Sequence, residues 1–289
     1  MAPTVPQLRT LLAVVDSGSF TGAAQALGVS QSSVSRTLRA LEEDIGGALL
    51  DRERGNAPTA LAAEVLPHAR AAVAALEALD GSVRARSGVP EGRVRVGAVP
   101  TVIQGLLPGL LSVWAARLPK VEVSIFEGDD DEMSEWLETG MVDAAVLVDP
   151  HPDPAGSVLI GEDEHCAVVR RDHPLAGERV MPLRELLEDG LIVSMGGCEA
   201  QVRRIHAIAG LPFETRQRVR ELATLITMVQ EGVGVAIMPR LGEGLLPATL
   251  RMLPLEPTVG RRLVLSGPTT RAWSPLATAL VGALHADTP

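Results

Sequence analysis

The sequence predicts an α+β multidomain protein: a winged helix-turn-helix at the N-terminus, a long linker helix, and a C-terminal α/β part folded as two lobes. Three observations carry this. Residues 20–45 read as two short helices across a glycine turn. Residues 60–83 form an Ala-rich stretch with apolar residues close to coiled-coil spacing. From Arg93 onward, short apolar runs at strand spacing alternate with helical patterns, which implies parallel sheets with right-handed crossovers.

The first helix is expected over Val5 to about Ser17, with Thr4 as cap, Pro6 in its first turn and Gly18 at its end. Leu8, Leu11, Leu12 and Val15 form its apolar stripe. A second helix follows from Thr21 to Leu27, ended by Gly28, a residue free to take positive φ. Ser30 is the natural N-cap of a third helix, which opens at Gln31 and turns Val34, Leu38, Leu41 and Ile45 to one side.

The opposite face of the third helix shows Gln31, Ser32, Ser35 and Arg36, with Arg39 one turn on; the acids Glu42, Glu43 and Asp44 come only at its far end. A helix N-terminus attracts phosphate, and Gln and Arg can pair with base edges in a major groove. This is the geometry of a recognition helix; the plain alternative is a surface helix with polar residues turned outward. The next segment, Leu49 to Thr59, places Arg52 and Arg54 before a turn at Gly55 and Asn56, as in a β-wing whose arginines contact backbone or minor groove.

At this point a family resemblance becomes specific. LRTLLAVVDSGSFTGAAQALGVSQSSVSRTLRALEEDIGGALLDR, starting at Leu8, resembles the opening of LysR-type transcriptional regulators, and a weaker pattern covers the rest. The resemblance implies base contacts from Gln31, Ser32, Ser35 and Arg36. It implies phosphate or groove contacts from Ser30, Ser33, Arg39, Arg52 and Arg54. The chain departs from the family's habit at Ser32, where Pro is common, and after Thr59, where ALAAEV replaces a frequent Ala-Gly pair.

Composition sets the outer bounds. With 289 residues and 46% hydrophobic content, the chain is a multidomain globular protein. Its net charge of −10 argues against a generally basic nucleic-acid binder. Residues 1–60, however, carry five arginines against six acids, so the excess acid lies elsewhere. A local basic face matters more than bulk charge. Cys166 and Cys198 do not make a disulfide framework. The only early apolar run, Leu11 to Val15, is too short for a signal peptide core, so a cytoplasmic location is expected. No HExxH, GxSxG, GxxxxGK[ST] or CxxC occurs, so neither an enzyme nor a metal or cofactor protein is expected.

In the Ala-rich helix, Leu66, Ala69, Val73, Leu76, Leu79 and Val83 follow near three-four spacing, interrupted by Pro67, which predicts a kink. The stripe can pack against its own domain or against a second copy; the family's linker helix dimerises. Gly81 and Ser82, then Ser87 to Gly92, read as a linker.

Strands are then expected at Val94–Val96, Val121–Ile125 and Ala144–Val148, with one helix through Leu106 to Trp114 and another around Met133 to Thr139. A second unit follows, with strands at Cys166–Val169, Leu191–Val193, Arg218–Val219 and Val235–Met238. Its helices are expected at Leu183–Leu187, Glu199–Ala209 and Leu222–Gln230. The strand Leu263–Leu265 and the helix Ser274–Leu284 return to the first unit. This arrangement, with the phrase EGVGVAIMPRL, resembles the effector-binding domain of the same family, whose architecture is that of type 2 periplasmic binding proteins. The implied divisions are residues 1–59 for the DNA-binding head, 60–91 for linker helix and hinge, 92–161 plus 267–289 for lobe 1, and 162–266 for lobe 2.

Ligands of open parallel sheets bind beyond the C-terminal strand ends, near helix N-termini. Pro100 and Thr101, Gly128 and Asp130, Ser194, Met195 and Cys198, and Thr224 occupy such turns, and the resemblance puts effector contacts at or beside them. Each is equally explained as a helix cap. The run Asp129 to Glu132 is explained by the helix dipole; if Asp130 faces the cleft, it favours a cation or amine over an anion. Cys198, at a helix start, also matches the place of the reactive thiol in the family's peroxide sensors, though no resolving partner follows in IHAIAGL.

The function expected is that of a ligand-responsive, sequence-specific regulator. It binds promoter DNA as a dimer or homotetramer and changes DNA bending when a small molecule binds. The contrasting readings are a thiol-based redox sensor using Cys198, and a solute-binding α/β protein without a DNA role.

Overall fold

The computed structural model describes residues 2–85, 90–195 and 198–285. The head is three helices, α1 (Val5–Ser17), α2 (Phe20–Leu27) and α3 (Gln31–Ile45), followed by a two-stranded wing, β1 (Leu50–Asp51) and β2 (Ala57–Pro58), paired antiparallel. Their shared core holds Leu11, Val14, Ala23, Val34, Leu38, Leu41 and Leu49, all essentially without solvent contact. Val14 rather than Val15 turns fully inward; Val15 and Leu8 only pack at the margin. Ser19 caps α2 by accepting from the Gly22 amide at 3.0 Å. Gly28, at φ +66°, supplies the left-handed residue that the α2–α3 turn requires.

The linker helix α4 (Ala60–Ala85) runs unbroken for 26 residues, with Pro67 inside it. Thr59 caps it, accepting from the Ala62 amide at 3.1 Å. Gly81 and Ser82 are therefore helical, not linker; Ser87 to Val89 lie outside the described residues. The N-terminal half of the expected seam does not wait for a second copy. Ala69 and Val73 are buried against Leu12 and Leu8 of α1, while Leu79 stays 60% exposed.

The α/β part has a sheet of ten strands. Lobe 1 contributes β3 (Gly92–Ala98), β4 (Val121–Glu127), β5 (Ala144–Val148) and β12 (Gly260–Ser266), in the order β4-β3-β5-β12; β3 is parallel to β4 and β5, and β12 runs antiparallel to β5. Its helices are α5 (Pro100–Gly105), α6 (Leu107–Arg117), α7 (Asp130–Thr139) and α11 (Pro275–His285). Lobe 2 contributes β7 (Met181–Pro182), β8 (Leu191–Ser194), β9 (Gln217–Val219), β10 (Val235–Pro239) and β11 (Leu250–Glu256), with helices α8 (Leu183–Leu186), α9 (Glu199–Ala209) and α10 (Leu222–Gln230). One strand, β6 (Val158–Arg170), serves both: it pairs with β12 through residues 158–164 and with β10 and β11 through residues 165–170.

Three expectations change. The division after residue 266 cuts on the wrong side of β12, because Leu263 and Leu265 sit in the lobe 1 core with Val94, Val96 and Trp114. The second strand of the crossover is 13 residues long, not the four of Cys166–Val169, so residue 161 falls in mid-strand. Its acidic stretch hid it: Asp163 and Glu164 are matched by Arg261 and Arg240. Finally, the turn expected at Pro100 and Thr101 is a short helix of its own, α5, ahead of the expected helix, which is α6. The turn at Pro100 opens α5, and Pro108 in the first turn of α6 cannot continue the ladder of α5.

The long helix joins head to lobe 1. It packs against α1 on one side and against α7 and α11 on the other. A Cβ added to Gly140, the residue ending α7 at φ +75°, would meet the Ala74 Cβ of α4 at 2.9 Å. Glu77 of α4 lies 3.9 Å from Arg9 of α1 and 3.8 Å from Arg95 of β3, whose guanidinium also meets Asp143 at 2.9 Å.

Candidate nucleic-acid interface and effector cleft

The amino end of α3 lies open. Gln31, Ser32, Arg36 and Arg39 are exposed, whereas Ser33 and Ser35 are half-buried. The Ser30 hydroxyl caps the helix, accepting from the Ser33 amide at 3.2 Å and lying 2.9 Å from the Ser32 hydroxyl. Among the described residues, Arg36 and Arg39 form no ion pair, so both guanidiniums stay available on an acid-free face. The wing arginines differ. Arg52 stands 4.0 Å from Glu42 and Arg54 3.7 Å from Asp51, so an incoming phosphate competes with a carboxylate. Glu42 has a further task invisible in the sequence. Its carboxylate accepts from the Leu49 amide at 2.9 Å and so ties the end of α3 to the wing.

Between the lobes lies a cavity of about 200 Å³. The structure brings Pro100, Thr101, Gly128, Asp130, Ser194 and Cys198 together around it. It leaves out Thr224, which faces solvent on α10, and Met195, which is 51% exposed; Gly196 and Gly197, expected to lead into α9, lie outside the described residues. Sequence reasoning missed Arg261, His165, Gln201, Arg220, Glu127 and Glu221, which also line the cavity. No local motif marks them, because they arrive from β12, β6, α9, the end of β4 and the loop before α10, far apart in the chain.

The wall has a definite polarity. Arg261 is 4% exposed; its guanidinium meets Asp163 at 2.8 Å and donates to the Thr101 hydroxyl at 3.0 Å. Thr101 is thereby fixed, and Asp163 balances the charge. Across the cleft, Gln201 of α9 donates through Nε2 to the Asp130 carboxylate of α7 at 3.1 Å. Burial pushes the Asp130 carboxyl up to about 6, with the Gln201 bond opposing and Asp131 adding to the rise. The Asp129 carboxyl is raised too, by burial and by Glu132. His165 is 2% exposed, and its Nδ1 lies 3.2 Å from the Val259 carbonyl; burial lowers its pKa, so the ring is neutral.

Cys198 is half-buried at the N-cap of α9, and burial pushes its thiol up to about 11 against the attraction of Arg261. Cys166, buried in β6, is pushed up to about 12 for the same reason. Neither thiol sits in the electropositive, open setting that produces a reactive thiolate. Among the described residues no cluster of three His, Cys, Asp or Glu side chains has metal-binding geometry. No helix among them is long and apolar enough to cross a membrane.

Comparison with known proteins agrees with both halves. Residues 5–63 match the model of the bacterial regulatory helix-turn-helix protein, lysR family, and residues 87–289 match that of the LysR substrate binding domain. The chain is 29% identical over 272 residues, 93% of each protein, to an uncharacterized HTH-type transcriptional regulator, YvbU, of Bacillus subtilis (strain 168). It is 34% identical over 244 residues to a probable hydrogen peroxide-inducible genes activator of Mycobacterium avium, spanning 82% of this chain and 78% of that one. Its fold matches full-length CbnR in complex with target DNA at a TM-score of 0.67 and 22% identity, covering 97% and 98% of the two chains. With an open recognition-type helix at one end, a two-lobed cleft at the other and both family models matched in order, this chain belongs to the LysR family of transcriptional regulators.

Proposed function

We propose that this chain is a ligand-responsive, sequence-specific regulator that binds promoter DNA as an oligomer. It acts as no enzyme, and it works in the cytoplasm. The observation that carries the reading is the accessible, acid-free N-terminal face of α3, where Arg36 and Arg39 form no ion pair among the described residues. Gln31, Ser32 and Arg36 read base edges. Ser35, half-buried beside them, is the fourth base contact. Ser30, Ser33, Arg39, Arg52 and Arg54 hold phosphates or groove walls.

Two heads reading half-sites on successive turns require a dimer. The exposed Leu79 near the end of the linker helix supports pairing there, and two such dimers make the homotetramer. Pro100, Thr101, Gly128, Asp130, Ser194 and Cys198 surround the effector, and its binding favours one lobe arrangement and so one angle between heads and one bend in the DNA.

The experiment is a gel shift with the DNA upstream of its own gene. Arg36→Ala should abolish the specific shift while the melting temperature stays within about 1 °C, as for an exposed residue. Equal binding to promoter and random DNA, unchanged by Arg36→Ala, would overturn the reading. The resemblance to a peroxide-inducible activator raises a thiol mechanism, but the raised pKa of the half-buried Cys198 thiol supports small-molecule control instead.

A further inference from the structure

The chemistry of the cleft wall narrows what can occupy it. Five carboxylates line the cavity, from Glu127, Asp129, Asp130, Glu132 and Glu221, against the two guanidiniums of Arg220 and Arg261. Arg261 is already matched by Asp163; Arg220 is exposed, as are Glu127 and Glu221, so Asp129, Asp130 and Glu132 are the sheltered charges.

Two of the helix ends around the cleft, those of α7 and α10, which would ordinarily draw an anion, are occupied by the chain's own acids; the start of α5 carries none. Asp129 caps α7, whose first turn holds Asp130, Asp131 and Glu132. Glu221 stands at the N-cap of α10. An anionic ligand would enter against this field and find those two helix dipoles already compensated.

The neutral groups point the same way. His165 is nine-tenths buried and lines the cavity. Its Nδ1–H donates to the Val259 carbonyl, which leaves Nε2 as the acceptor of the neutral ring. Gln201 also lines the cavity; with Nε2 given to Asp130, its Oε1 is buried with no donor among the described residues. An unfilled acceptor in a buried site costs free energy that a ligand donor restores. The wall thus presents carboxylates and neutral acceptors, and it calls for a positive charge with several N–H groups. No cluster among the described residues has metal-binding geometry, and the mix of carboxylates with neutral acceptors suits an organic cation.

We propose that the cleft takes a small organic cation as effector: an amine, amidine or guanidine whose charged N–H groups bind the Asp130 carboxylate and His165 Nε2. This rests on the reading of the cleft as the effector site, and it specifies the chemical class that such an effector carries.

The test is a thermal-shift and calorimetric panel on the full chain at pH 7.5. Agmatine, putrescine and benzamidine are set against benzoate, succinate and 2-oxoglutarate. At concentrations tenfold above Kd, at least one cation should raise the melting temperature by about 3 °C, while the carboxylates leave it unchanged. Asp130→Asn and Glu127→Gln should each weaken the cation about tenfold or more. Glu135→Gln, which removes a charge from the exposed side of the same helix, should leave Kd within about twofold. Stabilisation by the carboxylates alone would overturn the cationic class while leaving the effector cleft in place. A cation effect that survives both Asp130→Asn and Glu127→Gln would place binding elsewhere and overturn it as well, as would no response to any of the six. The promoter gel shift, run without ligand, separates these outcomes from a failure of the DNA-binding reading.

Discussion

Gln201 of lobe 2 donates to Asp130 of lobe 1 across 3.1 Å of the cleft, a neutral-to-carboxylate hydrogen bond between the lobes at the ligand site itself, beside the Arg204–Asp149 pair from the same helix. The pH dependence of this bond follows from the raised Asp130. The folded protein holds a proton there until about pH 6, whereas the unfolded chain releases it near 4. Between those values the folded state binds the extra proton, so this group's contribution to stability grows as pH falls from 7 toward 5. Gln201, Asp131, the Val148 backbone and Arg261 act on the carboxyl and, with burial, set the balance. The difference between wild type and Asp130→Asn, followed by urea unfolding at pH 5 and 7, should change by on the order of 1 kcal/mol in that direction. A pH-independent difference would show that the carboxyl titrates normally.

Arg261 and Asp163 form a nearly dry ion pair, 4% and 3% exposed. Arg261→Met strands the Asp163 carboxylate and releases the Thr101 hydroxyl. Urea denaturation should register a loss of about 3–5 kcal/mol. Asp163→Leu added to Arg261→Met should recover a large part of it, because the uncompensated charge is then gone.

Arg39 and Arg52 are read as phosphate contacts. Either changed to Ala should weaken promoter and random DNA alike. The slope of log affinity against log salt concentration should become shallower by about one unit. Arg36→Ala differs in kind: it should lower the ratio of specific to non-specific affinity. Competition binding at two salt concentrations separates the two patterns.

Cys198 should be slow chemistry. With its thiol pushed up to about 11, labelling by iodoacetamide at pH 7.5 should run at least about tenfold slower than for an unperturbed thiol. Peroxide should leave promoter binding of wild type and Cys198→Ser alike. Rapid labelling at neutral pH would reopen the redox reading.

Gly140 ends α7 against the linker helix. Gly140→Ala imposes both a strained φ of +75° and a contact with the Ala74 Cβ at 2.9 Å. It should cost about 1–3 kcal/mol in thermal or urea unfolding. Ala74→Gly in the same chain should return part of that loss, and the shortfall measures the backbone strain.

Much of this fold could be read from local pattern, and the reasons are physical. The apolar spacing of Val34, Leu38 and Leu41 and the capping Ser30 each depend on neighbours within a turn, so α3 was legible to the residue at its start. The start of β6 was not. Residues 161–165 are stabilised in a strand by arginines from residues 240 and 261, which no local window contains. β11 escaped because Pro254 breaks the strand pattern, yet it sits opposite Cys166 in the ladder. The cleft divided the same way. Residues at strand-to-helix turns, such as Thr101 and Asp130, were predictable from topology. His165 and Arg261 reach the cavity through pairings between distant segments, and Thr224 shares a helix with the wall yet faces away from it.

Helix α7 has its first residue in the cleft and its closing glycine against Ala74 and Arg70 of α4. Ten residues make a rod roughly 15 Å long, and Met133 and Leu137 clamp its middle without solvent contact to spare. Arg70 in turn is bonded to Asp16 at the close of α1. A molecule tugging on one tip of that rod therefore has a direct mechanical line to the part of the protein that grips the double helix.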